Sequence, residues 1–580
     1  MKNIKGFKKE GFVFITVLIF SCVLIFYAAV SIKLAVSEIH FAGRNLVSIK
    51  GLYTAEAGIE QAIHDIAQYI VTNFEDPPDP PSLDAITGEF TIMPGIKGVY
   101  TCQSIGAERT IVDEVTGVVT YEQNYLLTCT SKDAKYGDVM KIHQLMGRQK
   151  SYAFQFAIFY ADDLEVFPGR CMTFGGKVHS NGDIYIGADG DSTVLTIDSE
   201  YLRTASEIYG YRKNNGNYLN GDVSIKVANS GGSYALMKEI WDGETLDSDR
   251  DDWMDESQIR WNGTVKSRVH NVGTLAHPLV ASIQPGGFYA QRADIHVKNG
   301  SVFKGDPTDP MNELIDGVDI PVGTITTISG TDIVPGAHYY NNREGKYIKI
   351  TDIDLRKLAG YAPGDVEGAP SYNNYFPENG LMYATRDDIP IDMQGGIRLY
   401  NGAEIYCQYD GPDPVGICLV SNLPVYILGD FNIDDTAGGF EKKPCSIMCD
   451  AANLLSNNWV DANSTGGQAA RRASETEINL AMLSGVDVTT PGHYNGGLEN
   501  YPRLHEDWSG IDLNIKGSFI QLWNSQVAQG PWIYGTSGST FYYTAPIRNW
   551  YYDNSFNNTD NLPPYTPFVV GTIKKAWWVE

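Results

Sequence analysis

Residues 12–30, FVFITVLIFSCVLIFYAAV, carry no charged side chain, and the helical pattern they begin continues without a proline to Phe74. A run of this length is close to the ~20 residues that cross a bilayer as helix. Beyond it Ile32, Val36, Ile39, Leu46, Ile49, Leu52, Ile59, Ile63, Ile66 and Ile70 recur at threes, fours or sums of these, which is one apolar face of a helix. The pattern predicts a rod over 12–74, roughly 90 Å long at 1.5 Å per residue, half in lipid and half packed on something outside. A removable signal peptide has an apolar region of ~7–15 residues followed by a small-x-small cleavage site. No such site follows this run, so the rod is expected to stay.

EDPPDPPS (75–82) stops the helix, because its four prolines remove backbone donors and force extended chain; residues 75–83 read as a linker. Residues 84–150 then alternate apolar and polar positions between turn signals, in EFTIM, VYTCQSI, TIVDEV, GVVTYE, YLLTCTS and VMKIHQLM, and predict a small antiparallel sheet. From 151 to 580 a loose unit recurs, two apolar positions on each side of a turn glycine, as in KVHSNGDIYIG (177–187), IHVKNGSVFKG (295–305), IRLYNGAEIYC (397–407) and LNIKGSFIQL (513–522). Asn-Gly between alternating apolar residues signals antiparallel hairpins. Irregularly spaced short strands with glycine corners signal stacked parallel rungs. The expected fold is therefore mainly β with one long amino-terminal helix, a small antiparallel sheet, and a large β-helix-like solenoid. An antiparallel β-sandwich is the alternative for the large body. Short helices are expected at 233–241 (SYALMKEIW) and 474–483 (SETEINLAML).

Charge orients this layout. The first fifty residues hold seven basic and two acidic side chains, a net of +5, while the whole 580-residue chain carries −26, so the remainder carries −31. Lys2, Lys5, Lys8 and Lys9 precede the apolar run and hold the amino end in the cytoplasm, which sends the body outward. A body so acidic repels phosphate backbones and excludes nucleic acid as a partner. The 59 glycines and 35 tyrosines favour turns and strands over further long helices. Cys102 and Cys129, in adjacent predicted strands, are a disulfide candidate, whereas Cys445 and Cys449 lack the second ligand pair of a zinc site.

The basic leader ending in Gly11, the bond Gly11–Phe12 and the unbroken apolar helix resemble the type IV pilin superfamily. The segment AGRNLVSIKGLYTAEAGIEQAI (42–63) is similar to the PilX-type minor pilins. The resemblance implies that residues 1–11 are a leader, that a prepilin peptidase cuts after Gly11, and that Phe12 becomes a methylated amino terminus. Major pilins carry a glutamate at the fifth mature position, thought to pair with the amino terminus of a neighbouring subunit. Here that position is Thr16, a departure shared with tip pseudopilins of type II secretion, which points to a minor or tip subunit. Segments such as KPCSIMCDAANLLSNNWVD (443–461) and GGLENYPRLHEDWSG (496–510) resemble the carboxyl-terminal part of large pilin-like exported proteins, which implies a shared fold and no named activity.

Three clusters invite chemistry. His179, Asn181 and Asp183 in KVHSNGDIYIG have the types of a metal or general-base group, but alternation sets them opposite Val178, Ile184 and Ile186 and reads as a solvated face. Asp247, Asp249, Asp251 and Asp252 are weak calcium candidates, without the glycine and closing glutamate of an EF-hand; Asp183, Asp189 and Asp191 are a thinner set. Glu506 and Asp507, beside Arg503, His505 and Trp508, have the types of a glycosidase, yet adjacent carboxylates on a strand face apart, and a buried ion pair under Trp508 and Trp523 is the simpler reading. No G-x-S-x-G, H-E-x-x-H, Walker or dinucleotide motif occurs, so no enzyme and no resident cofactor is expected.

The sequence thus predicts a single-pass inner-membrane protein that assembles at the cell surface or in the periplasm. It reads as a minor, tip-type subunit of a type IV pilus or type II secretion-like filament, whose acidic body primes assembly or adheres to a surface. Its expected partners are other pilin-like subunits through the helix, the inner membrane, the prepilin peptidase and a surface or glycan ligand. A membrane-tethered carbohydrate-active enzyme on a β-helix is the alternative.

Overall fold

The computed structural model describes residues 9–74, 88–112, 118–238, 244–328, 339–366, 368–435, 440–533 and 542–580. The linker expected at 75–83 lies outside them, as do residues 1–8 of the leader.

Helix α1 runs over Lys9–Asn73, about 97 Å of rod. It ends at Phe74, which sits at φ 60°, a left-handed backbone that costs a bulky residue about 1–2 kcal/mol. Aromatic packing offsets that cost: the Phe74 ring stacks on Phe288 at 3.7 Å between centroids and meets Tyr289 edge-on at 5.4 Å. The rod's end is thereby fastened to the large body.

Four strands follow, β1 Gly88–Met93, β2 Ile96–Val112, β3 Val119–Asp133 and β4 Gly137–Tyr152, paired antiparallel in sequence order. The expected meander is present, with its short segments fused into longer strands: VYTCQSI and the start of TIVDEV share β2, and YLLTCTS continues β3. A fifth strand completes this head, and it comes from the opposite end of the chain. Phe568–Val579 pairs antiparallel with β4, from Phe568 opposite Tyr152 to Val579 opposite Ile142. The large body therefore leaves the head at Tyr152 and returns beside it at Phe568, as an insertion between neighbouring strands. The boundary expected at 151–580 misplaces this last strand.

Within the insertion, three successive stretches of chain each lay down three short strands. They are Ile158–Tyr160, Leu164–Val166 and Met172–Gly175, then Val178–Ser180, Ile184–Ile186 and Val194–Asp198, then Leu202–Thr204, Ile208–Tyr209 and Asp222–Lys226. Corresponding members pair in parallel: Ile158 opposite Val178 opposite Leu202, Leu164 opposite Ile184 opposite Ile208, and Met172 opposite Leu195 opposite Val223. The chain then crosses to the far end and lays down Leu381–Thr385, Ile417–Ser421, Cys445–Cys449, Thr476–Ser484 and Asp512–Gln521, each parallel to the one before. Asp512–Gln521 pairs in parallel with Ile158–Tyr160, so one sheet runs through both halves of the body.

Parallel ladders are not the pairing of an antiparallel sandwich. True hairpins occur where both turn residues take positive φ, as at Asn299 and Gly300 between Ile295–Lys298 and Ser301–Lys304. The helix expected at 474–483 is instead the strand Thr476–Ser484. It is covered on both faces, so its run ILE-ASN-LEU-ALA-MET-LEU shows no alternation and mimics a helix in sequence. Of the helix expected at 233–241, Tyr234–Leu236 is strand and the part from 239 lies outside the described residues.

Candidate assembly helix and polar clusters

Helix α1 divides at Gly51. From Phe12 to Leu46 every side chain is exposed, among them Phe12 at 76%, Phe26 at 71% and Ile39 at 71%. A helix apolar around its whole circumference, as residues 12–30 are, is stable only when lipid or other helices cover it, and α1 is long and apolar enough to cross a membrane. Thr16 Oγ1 donates to Phe12 O at 2.8 Å, so its hydroxyl is satisfied within the rod and supplies no charge to a neighbour.

Below Gly51 the same helix packs on the head. Ala55, Ile59, Ala62, Ile66 and Ile70 are buried against Tyr100, Tyr125, Leu127, Ile142 and Met146. The periodic residues Ile32, Val36, Ile39 and Ile49, read as part of the same face, stay exposed. Close approach is set by glycine: a Cβ on Gly58 would land on Cys129 Sγ and the Phe90 ring, and one on Gly51 would lie 2.7 Å from Val139 Cγ1. Polar contacts at the margin join Asp65 to Tyr100, and Glu60 to Lys574 on the carboxyl-terminal strand.

Cys102 and Cys129 both face α1 and are free thiols. In the β2–β3 register Tyr100 lies opposite Cys129 and Cys102 opposite Leu127, a diagonal placement whose ~7–8 Å separation exceeds ordinary disulfide reach. Burial pushes each thiol up to about 12.

The other sequence candidates are dispersed among structural roles. His179 is 1% exposed and stacks on Phe159 at 5.4 Å, so the solvated face expected of it is a buried one; desolvation pushes its ring down to about 4. Asn181 exchanges two 2.8 Å hydrogen bonds with the Leu275 backbone, and Asp183 accepts from Glu207 N at 3.1 Å. Asp247 is buried and accepts from Gly210 N, Tyr218 Oη and Asp249 N, while Asp252 chelates Arg250 at 2.9 Å ahead of the helix Trp253–Trp261. Among the described residues no three His, Cys, Asp or Glu groups are placed to hold a metal ion.

Glu506 and Asp507 do face apart, but the buried ion pair belongs to other residues. Arg503 pairs with Glu344, both side chains 4% exposed. Asp507 reaches the surface. Desolvation raises it, but hydrogen bonds from Thr544, Arg472 and Ser509 outweigh that and hold it well below the usual carboxylate range. Glu506 is fully buried and accepts from Ser456 N and Oγ, each at 2.6 Å; desolvation pushes it up to about 7. A carboxyl raised from 4.5 binds its proton more tightly folded than unfolded. It therefore contributes about 3 kcal/mol that is fully present below pH 4.5 and lost by pH 7. Glu506→Gln is expected to remove that component: between pH 5 and pH 8 its denaturation midpoint should fall less than that of the wild type. Equal slopes would contradict the assignment.

The sequence reading missed a cavity of ≈ 280 Å³ on the body, lined by Phe167, Arg212, Glu499, Trp532, Tyr543 and Arg548 among others. Glu499 is 4% exposed; its Oε1 accepts from Phe167 N at 2.6 Å, and its Oε2 has no hydrogen-bond partner among the described residues. Desolvation pushes its carboxyl up to about 7. Arg212 Nη2 donates to Asp189 at 3.2 Å, and Arg548 Nη2 donates to Glu499 O and Tyr543 Oη at 3.1 and 3.3 Å. The Nε groups of both arginines are buried without partners among the described residues. These residues lie up to 381 positions apart, and only GGLEN around Glu499, a carboxylate in a glycine turn, hints at a special position.

No protein-family model matches the chain, and no curated protein matches it. Among solved structures it is similar to the competence-associated pilin ComZ from Thermus thermophilus, with 9% identity, coverage of 92% of this chain and 97% of that one, and a TM-score of 0.23. At that score the likeness carries no inference.

Proposed function

We propose that this chain is a pilin-like minor subunit, at or near the tip of a type IV pilus or type II secretion-like filament, displaying a large acidic body for assembly priming or surface adhesion. One observation carries the reading. A rod with a bare apolar half continues without a break into a half seated on a five-stranded antiparallel sheet. The bare half suits lipid before assembly and sister rods afterwards. Removal of residues 1–11 by a prepilin peptidase frees Phe12, and Thr16, lacking a carboxylate, suits a subunit with no earlier neighbour. The body is inserted between adjacent head strands and residues 12–46 of the rod stay exposed with it in place, which favours display.

Gly11→Leu tests this. The variant is expected to keep its lysine-rich leader, to remain with the membrane, and to disappear from the filament fraction sheared off whole cells, where the wild type is expected. A wild-type chain missing from that fraction, or a Gly11→Leu chain present in it, would contradict the proposal.

A further inference from the structure

The geometry points to Lys575 and Asn124 as the partners of an isopeptide bond that ties the carboxyl-terminal strand to β3, with Glu122 as the proton carrier between them. The inference concerns the head alone and does not rest on the filament reading. It begins with a break in register. Lys574 lies opposite Met146 and Ala576 opposite Leu145, so Lys575 is an extra residue, a β-bulge that re-aims its side chain. That side chain crosses β4 where a glycine leaves it room. Gly147 stands opposite Asn124 on one side and opposite Ile573 on the other, and a Cβ there would lie 2.9 Å from Lys575 Cε and 3.2 Å from its Nζ. The lysine thus reaches β3, two strands away and 451 residues earlier in the chain, where Nζ donates to Asn124 Oδ1 and to Glu122 Oε1, each at 2.7 Å.

These are the parts of an amide exchange. A carbonyl bond is about 1.23 Å long, so Nζ sits no more than ~4 Å from Asn124 Cγ, close to the ~3–3.5 Å of a reactive approach. Glu122, its side chain 5% exposed, bonds the same nitrogen and can serve as base and then as acid. It takes a proton from the Nζ ammonium, the freed lone pair attacks Cγ, and the carbonyl π pair moves to Oδ1. Glu122 passes the proton to Nδ2, the carbonyl re-forms, the Cγ–Nδ2 bond breaks and ammonia leaves. The surplus proton remaining on Nζ goes to Glu122 and on to the ammonia. One lysine cation and one side-chain amide thereby become one cross-linking amide and one ammonium ion, without an oxidant, a reductant or a cofactor. Hydrogen bonds from Lys575 first, then from Arg109 and Gln149, outweigh desolvation and hold Glu122 at about 2. The resting pair is therefore charged, and the bond forms slowly from its minor neutral state. One turnover per molecule is all that it needs.

Peptide mass spectrometry of the full-length chain, purified in detergent and held overnight at pH 8, reads the bond directly. From most molecules trypsin is expected to release a branched peptide joining residues 110–132 to 575–580, lighter by one ammonia, about 17 Da, than its two arms together. Glu122→Gln is expected to lower the linked fraction at least tenfold and Asn124→Ala to abolish it. Lys574→Arg, at the neighbouring lysine that pairs with Glu60 on α1, is expected to leave it unchanged. Circular dichroism checks that each variant is folded; should Glu122→Gln not fold, Glu122→Asp, one methylene short of Nζ, takes its place with the same expectation. Recovery of the two arms mainly as separate peptides from the wild type, or a folded Glu122 variant linked as fully as the wild type, would overturn the proposal, whatever the filament experiment returns.

Discussion

A leucine at position 58 is expected to push the rod off the head and destabilise it by about 3 kcal/mol, the upper end for overpacked cores. Even the first carbon of the new side chain would coincide with Cys129 Sγ and the Phe90 ring, and Cys129 cannot withdraw, since it is fully buried in the middle of β3. The helix must shift, and the contacts of Ala55, Ile59 and Ala62 go with it. Gly43→Leu is the matched control. Nothing lies within 4 Å of a Cβ there, so it is expected to be neutral, or stabilising by up to ~1 kcal/mol through helix propensity. Thiol alkylation provides a local readout. Burial holds the Cys129 thiol at about 12 and unreactive, and Gly58→Leu is expected to make it alkylatable while Gly43→Leu does not. Unchanged midpoints and unchanged alkylation in Gly58→Leu would contradict the packing described.

A chain ending at residue 567 is expected to lose the folded head altogether. The missing strand supplies the ladder from Phe568 opposite Tyr152 to Val579 opposite Ile142. It also supplies Val569 and Val570, both 1% exposed, and the 2.7 Å contact of Lys575 with the buried Glu122. Two buried valines at ~1.5–3 kcal/mol each, together with ladder hydrogen bonds at ~1 kcal/mol each, exceed 5 kcal/mol, the scale of a small domain's whole stability. Backbone hydrogen exchange reads the outcome strand by strand. Amides of β3 and β4 should lose protection, whereas those of Cys445–Cys449 and Thr476–Ser484, deep in the body, should keep theirs. Retained protection in β4 would show that residues 84–150 form a self-sufficient sheet after all.

These two sites also mark what was legible beforehand. The rod was readable because a period of 3.6 residues over sixty positions is a local signal, and the predicted 12–74 lies within a residue of the observed end at Asn73. The meander was readable because neighbouring strands pair with neighbours. The closing strand was not, because its partner lies more than 400 residues away and its alternation is masked by Lys574, Lys575, Trp577 and Trp578, all exposed. Thr476–Ser484 was misread because burial on both faces erases the period that tells strand from helix. Of the polar clusters, the adjacency of Glu506 and Asp507 correctly implied opposed faces, but Glu344, the partner of Arg503, is 159 residues away. Asp247 drew notice as one of an acidic run, yet it caps the backbone of a loop that begins at Gly210. The Glu499 cavity escaped for the same reason, since convergence of distant turns is a property of the stacking and leaves no local spacing.

The claim on which the rest depends is that the apolar half of the rod survives maturation and begins the exported protein. Intact-mass and amino-terminal peptide mass spectrometry of the protein recovered from its native cell envelope measures this directly. The account predicts a chain that starts at Phe12 with a methylated amine; a chain that retains Met1, or one trimmed beyond residue 30, would contradict it.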